Sequence, residues 1–154
     1  HPDRECVCGS GIVQRYLSRI SGPLLDRIDI HIEIVPVPFE KLSELRDAEP
    51  SSSVRERVIK ARQVQEERFK DVEGVYCNAQ MSSKQMRTYA QIDQAGSELL
   101  KNAMQRLNLS ARAYDRIIKV ARTIADLEQS ENIVSQHLAE AINYRNLDRE
   151  GWAG

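Results

Sequence analysis

The sequence predicts a mainly α fold: a helical bundle preceded by a fragment, a helix plus one strand, of an α/β unit. From Ser53 onward, capping residues repeatedly open segments with apolar positions at three-and-four spacing. One stretch alone, Ile28-Asp29-Ile30-His31-Ile32-Glu33-Ile34, alternates apolar and polar with period two and is rich in β-branched isoleucine. Between these regions Val35-Pro36-Val37-Pro38 forbids continued strand pairing, because proline has no N–H to donate. The break divides the chain into residues 1–37 and 39–150.

Taken in order, Ile12 to Ile20 has the spacing of a short helix, broken by Ser21-Gly22-Pro23. The isoleucine strand follows, with one face expected to be buried. A lone strand leaves its edges unsatisfied, so residues 28–35 should either pair with a partner or belong to a larger α/β protein. Since the chain opens at His1-Pro2-Asp3 without Met, the second expectation is preferred. Residues 1–37 should then be poorly anchored, be disordered, pack on the bundle, or pair with another chain.

Ser53-Val54-Arg55-Glu56 has the capping-box pattern and should start a helix running to about Phe69. Its apolar stripe (Val54, Val58, Ala61) is thin, which predicts a solvated face. Gly74 to Ala79 reads as a loop, and Ser82-Ser83-Lys84-Gln85 as a second capping box for a helix through Tyr89. Asp93 can cap the next helix, with Leu99, Leu100, Ala103, Met104 and Leu107 inward and Asn108 as a left-handed stop. Ser110 opens the strongest amphipathic segment: Tyr114, Ile117, Ile118, Ala121, Ile124 and Ala125 form a buried stripe. Ser135 caps the last helix, which carries Leu138, Ala139 and Ile142. The short connections favour a bundle.

Composition narrows the function. Lys+Arg 22 against Asp+Glu 23 leaves a net charge of -1, so no global field marks a nucleic-acid or membrane binder. No apolar run approaches the roughly 20 residues that span a bilayer, and no secretory leader opens the chain. Three cysteines are too few for a disulfide framework and suit reduced thiols in a cytoplasm. The pattern GxxxxGK[ST] is absent, as are HExxH and GxSxG. A complete active site is therefore not expected within these residues.

Some positions stand out even so. Cys6-x-Cys8 supplies two thiolates, half of what a structural zinc site needs, and Cys77 could be a third; otherwise these are unliganded thiols. Arg112 falls in the first turn of the Ser110-capped helix, where the macrodipole disfavours a cation. With Arg116 and Lys119 it forms a basic stripe. That stripe is either a solvated face near Asp115 and Asp126 or a cationic helix end aimed at phosphate oxygens. By pattern alone Arg27, just before the strand, is a surface arginine paired with Asp26 or Asp29.

The run Tyr16-Leu17-Ser18-Arg19-Ile20-Ser21-Gly22-Pro23-Leu24-Leu25-Asp26-Arg27-Ile28-Asp29 resembles the end of the AAA+ module in magnesium-chelatase-like ATPases, most closely the bacterial competence-type branch. The block from Leu109 to Leu127, including Ser110-Ala111-Arg112, is similar to the helical lid of the same family, as is His137 to Arg145. The resemblance implies that residues 1–37 are the tail of the nucleotide-binding core and 39–150 the lid. It implies that Arg27 is the arginine finger, reaching the γ-phosphate of a neighbouring subunit, a role that can matter by orders of magnitude in rate. It implies that Arg112 is sensor 2, reaching the γ-phosphate in its own subunit. Cys6 and Cys8 would be the retained half of a four-cysteine zinc site.

Walker A, Walker B and sensor 1 precede His1 in the family's order. The fragment should therefore be inactive alone and hold no ligand, while the parent binds ATP and Mg2+ as a homo-oligomeric ring in the cytoplasm and acts on DNA. Two other readings use the same residues. One is a nucleic-acid-binding module built on Arg112, Arg116, Lys119 and Arg122. The other is a protein-interaction bundle using the solvated face of residues 53–69.

Overall fold

A computed structural model describes residues 7–34, 36–39 and 48–145. Its helices are α1 (Ser10–Leu17), α2 (Gly22–Leu25), α3 (Ser51–Phe69), α4 (Ser83–Tyr89), α5 (Gln94–Arg106), α6 (Ala111–Leu127) and α7 (Ser135–Asn143), with a 3-10 turn at Asn78–Gln80. The fold is mainly α, as the sequence predicts. Strand pairing among the described residues is limited to one parallel bridge, Ile92 to Ile133.

Helix α6 is the axis of the bundle. Its stripe buries Ala113, Ile117, Ile118, Ala121, Ile124 and Ala125, and α7 brings Leu138 and Ala141 against it. Leu100 of α5, Met86 of α4 and Phe69 of α3 complete the core, the last edge-on to Tyr89 at 5.4 Å. Each buried Leu, Ile, Met or Phe side chain contributes about 1.5–3 kcal/mol. Tyr114 departs from the expected stripe and is exposed. Helices α5 and α7 approach so closely that a Cβ at Gly96 would lie 2.7 Å from Leu138 Cδ1.

The helix boundaries follow local chemistry, with two corrections. The Ser82 box forms in full: Ser82 N–H donates to Gln85 Oε1 and Gln85 N–H to Ser82 Oγ. Asp93 and Ser110 cap as expected, accepting from Gly96 N–H at 2.7 Å and Ala113 N–H at 3.2 Å. Asn108 takes the left-handed conformation at φ 48. The Ser53 box does not form. Helix α3 begins at Ser51 after Pro50, so the Ser53 N–H already bonds the Pro50 carbonyl inside the first turn. At α7, Ser135 is the first helical residue and Val134 the cap, and the His137 ring accepts the Val134 N–H at 3.1 Å. In the N-terminal region, Pro23 sits just inside the single turn of α2, after Gly22, instead of only breaking a helix.

The isoleucine segment is inverted relative to expectation. Residues 28–34 form no strand, and Ile28, Ile30, Ile32 and Ile34 are all exposed, Ile34 at 87%. His31 is the buried member at 5%. With no neighbouring strand among the described residues, there is no sheet face for the isoleucines to cover. The segment is instead held by its backbone: the His31 N–H donates to the Tyr144 carbonyl at 2.8 Å. Ile30 and Ile32 border an open apolar cleft of about 360 Å³ with Val120, Ile124, Leu127 and Tyr144. Helices α1 and α2 bury no residue of their own.

A buried polar cluster locks α3 and the 3-10 turn onto α6. Asp126, fully buried, accepts both ends of the Arg68 guanidinium at 2.7 and 2.5 Å, Arg122 Nε at 3.1 Å and Asn78 Nδ2 at 2.7 Å. The Asn78 N–H in turn reaches Gln65 Oε1. The remaining Arg122 donors reach the Ser130 and Glu131 carbonyls just past the end of α6. Burial pulls the Arg122 guanidinium below its ordinary pKa, while Asp126 pulls the other way. Asp126 is thus no solvated neighbour of a basic stripe, as pattern alone suggested; it is the anion at the centre of the lattice.

Candidate functional site

Arginines from both ends of the helical bundle converge on residues 24–31. The Ser110 cap fixes where α6 begins, which places Arg112 in its first turn and Arg116 one turn further on the same face. Opposite them, Asp26 ends α2 and Asp29 follows three residues later. The two acids meet the two arginines in order: Arg112 Nη1 lies 3.7 Å from Asp26 Oδ2, and Arg116 Nη1 lies 2.9 Å from Asp29 Oδ1.

Arg145 holds the same loop from behind. It follows α7, is fully buried, and donates to the Ile28 carbonyl and, at 3.5 Å, to the Leu25 carbonyl. Its Nη2 also lies 3.9 Å from Asp26 Oδ1, so this carboxylate sits between two guanidinium groups. The His31 ring presents Nε2 to the Leu25 carbonyl at 3.3 Å, while its buried Nδ1 has no hydrogen-bond partner.

Arg27 is exposed and folds back on its own turn, donating from Nη1 to the Pro23 carbonyl at 2.6 Å. The pairing with Asp26 or Asp29 suggested by pattern gives way to other partners: Asp26 faces Arg112 and Arg145, and Asp29 faces Arg116. Arg27 and Arg112 therefore stand on segments joined by Asp26. Lys119 bonds the Ala79 carbonyl at 2.9 Å. Arg122 belongs to the interior, which removes one of the cations invoked for a nucleic-acid face.

Cys8 is exposed, and Cys6 lies outside the described residues. Cys77 is half-buried, and its thiol reaches Gln80 Oε1 at 3.6 Å. Among the described residues no three His, Cys, Asp or Glu side chains gather as metal ligands. No described helix is long and apolar enough to cross a membrane. Sequence reading missed Arg145, Asp26 and Asp29 as the seam's partners. The available signal was the pair of acids flanking Arg27, spaced to meet arginines one helical turn apart.

The chain belongs to the magnesium-chelatase-like family: the model described as magnesium chelatase, subunit ChlI C-terminal, matches residues 48–145, and the one for magnesium chelatase, subunit ChlI, matches residues 1–42. It is similar to the competence protein ComM of Haemophilus influenzae, with 42% identity over 138 residues, covering 89% of this chain and 26% of that protein. It is 40% identical over 136 residues to the uncharacterized protein YifB of Escherichia coli, covering 88% of this chain and 26% of that one. An uncharacterized protein of Mycobacterium bovis is 32% identical over 142 residues, with shares of 92% and 28%. The chain thus spans about a quarter of the length of these relatives.

Proposed function

We propose that this chain is the lid-and-finger part of an AAA+ ATPase, completing composite ATP sites in a ring-forming motor. Residues 1–37 are the tail of the nucleotide-binding core and 39–150 the lid. Arg27 is the arginine finger for a neighbouring subunit's γ-phosphate, and Arg112 the sensor-2 arginine. ATP and Mg2+ are bound by the parent, in the cytoplasm. DNA is its substrate, a reading supported by the relative named for competence. Cys6 and Cys8 contribute half of a zinc site.

The observation that carries this reading is the exposure of Arg27 and Arg112 on one seam. Arg112 is half exposed and, among the described residues, is held by a 3.7 Å ion pair, so phosphoryl oxygens can take the place of Asp26. Arginine's fork of donors suits that exchange. The test is ATP turnover by the full-length protein. Arg27→Ala should lower kcat by about a thousandfold, the scale of a lost arginine finger, and Arg112→Ala should lower it as well. Mixed rings should show Arg27 acting on a neighbour's ATP and Arg112 on its own subunit's. Wild-type turnover in both variants would defeat the assignment.

The nucleic-acid-module alternative is less favoured, because Arg122 is buried and Lys119 is bonded to the Ala79 carbonyl. A protein-interaction role for α3 retains support from the exposed Val54, Val58 and Ile59.

A further inference from the structure

We propose that Asp26 is a latch: an internal counter-anion that occupies Arg112 until a terminal phosphoryl group displaces it, tying nucleotide state to the loop that carries Arg27. This rests on the reading of Arg112 as a phosphate sensor.

The carboxylate is poised for exchange. Asp26 contacts Arg112 at 3.7 Å and Arg145 at 3.9 Å, both longer than a charge-assisted hydrogen bond of about 2.7–2.9 Å. Its side chain is 24% exposed and that of Arg112 50%, so solvent reaches the pair and its attraction is weak. A γ-phosphate offers several anionic oxygens where Asp26 offers one at a distance. Ejecting Arg112 from Asp26 frees one side of the residue that directly precedes Arg27. The loop does not come loose as a whole, because Arg145 also holds the Leu25 and Ile28 carbonyls. Arg116 with Asp29 forms a second, tighter contact at 2.9 Å, about which the loop can pivot. The device therefore joins two arginines through one carboxylate: when Arg112 turns to phosphate, Asp26 is released and the setting of Arg27 changes.

Equilibrium binding of a non-hydrolysable ATP analogue and of ADP to the full-length protein tests this. Asp26→Asn keeps the shape and removes the competing charge. It should tighten the analogue by about two- to fivefold, the factor matching an exposed ion pair, and leave ADP unchanged. Asp26→Glu should restore the wild-type ratio, and the gain should vanish when Arg112→Ala is added. A merely structural role predicts weaker binding of both nucleotides together with a lower Tm.

If Arg112→Ala weakens the analogue while Asp26→Asn leaves the ATP-to-ADP ratio unchanged, the latch is wrong and the sensor reading stands. If Arg112→Ala has no effect, the sensor reading fails and the latch with it. Should Asp26→Asn fold poorly, amide exchange of wild-type residues 26–28 gives the same answer. It should be faster with the analogue than with ADP, and equal rates overturn the proposal.

Discussion

Asp126 and Asp26 are each a carboxylate set between two arginines, and the two sites behave as opposites. Asp126 is fully buried, holds Arg68 and Arg122 at 2.5–3.1 Å, and has Asn78 on a further lone pair. Asp26 is partly open and faces Arg112 and Arg145 at 3.7 and 3.9 Å. Solvent and distance make the difference. In the interior, a missing partner strands a charge where water cannot reach it. At the seam, water or another anion can replace the partner at small cost. The same charge motif is therefore structural in one place and exchangeable in the other.

The contrast is broken most severely at its buried end. Asp126→Ala leaves two largely buried guanidinium groups without their counter-charge, and should cost about 3–5 kcal/mol. Urea denaturation would register it, and a loss under about 1 kcal/mol would mean that solvent enters the cluster. Next comes Arg145→Met, which removes charged donors from the Leu25 and Ile28 carbonyls. About 2 kcal/mol of local stability should go. Hydrogen exchange at the His31 amide should accelerate while that of α6 stays slow, since residues 24–31 are not part of the main core.

A gentler change sharpens the exposed end. Asp29→Asn removes the partner of Arg116, and with both side chains partly exposed the cost should stay within about 1 kcal/mol. In high salt the variant and the wild type should converge, whereas the Asp126 variants should keep their deficit. The smallest effect lies at Glu49, where the hydrogen bond from Arg57 holds the carboxyl below its usual range. Because the folded value is lowered, the pair's contribution is present above the ordinary carboxyl pKa and fades as pH falls through the lowered one. NMR titration of the Glu49 side chain should show that low midpoint with no measurable change in global stability.

The helices were legible in the sequence because their signals are local. Ser82, Asp93 and Ser110 cap through neighbours three residues away, and the α6 stripe needs only its own periodicity. The Ser53 box misled because Pro50 had already engaged the N–H groups of the first turn. The isoleucine segment misled for a different reason: period-two patterning states which residues would share a face, but only a neighbouring strand supplies something to cover it. The seam was half legible. Arg27 and Arg112 stand out by motif, but Asp26, Asp29 and Arg145 act across separations of up to 120 residues that no local pattern encodes. Arg122 and Lys119 lie on the same helix as Arg112, and only packing decides that one is interior and the other reaches a carbonyl.

The outward isoleucines also have a practical meaning for anyone who purifies this polypeptide. Ile30, Ile32 and Ile34 point outward on a segment that pairs with no strand among the described residues, which makes an adhesive ribbon. Such a ribbon invites a second molecule to stack along it as concentration rises. Replacing Ile34, which is 87% exposed, with lysine would give the preparation a longer shelf life.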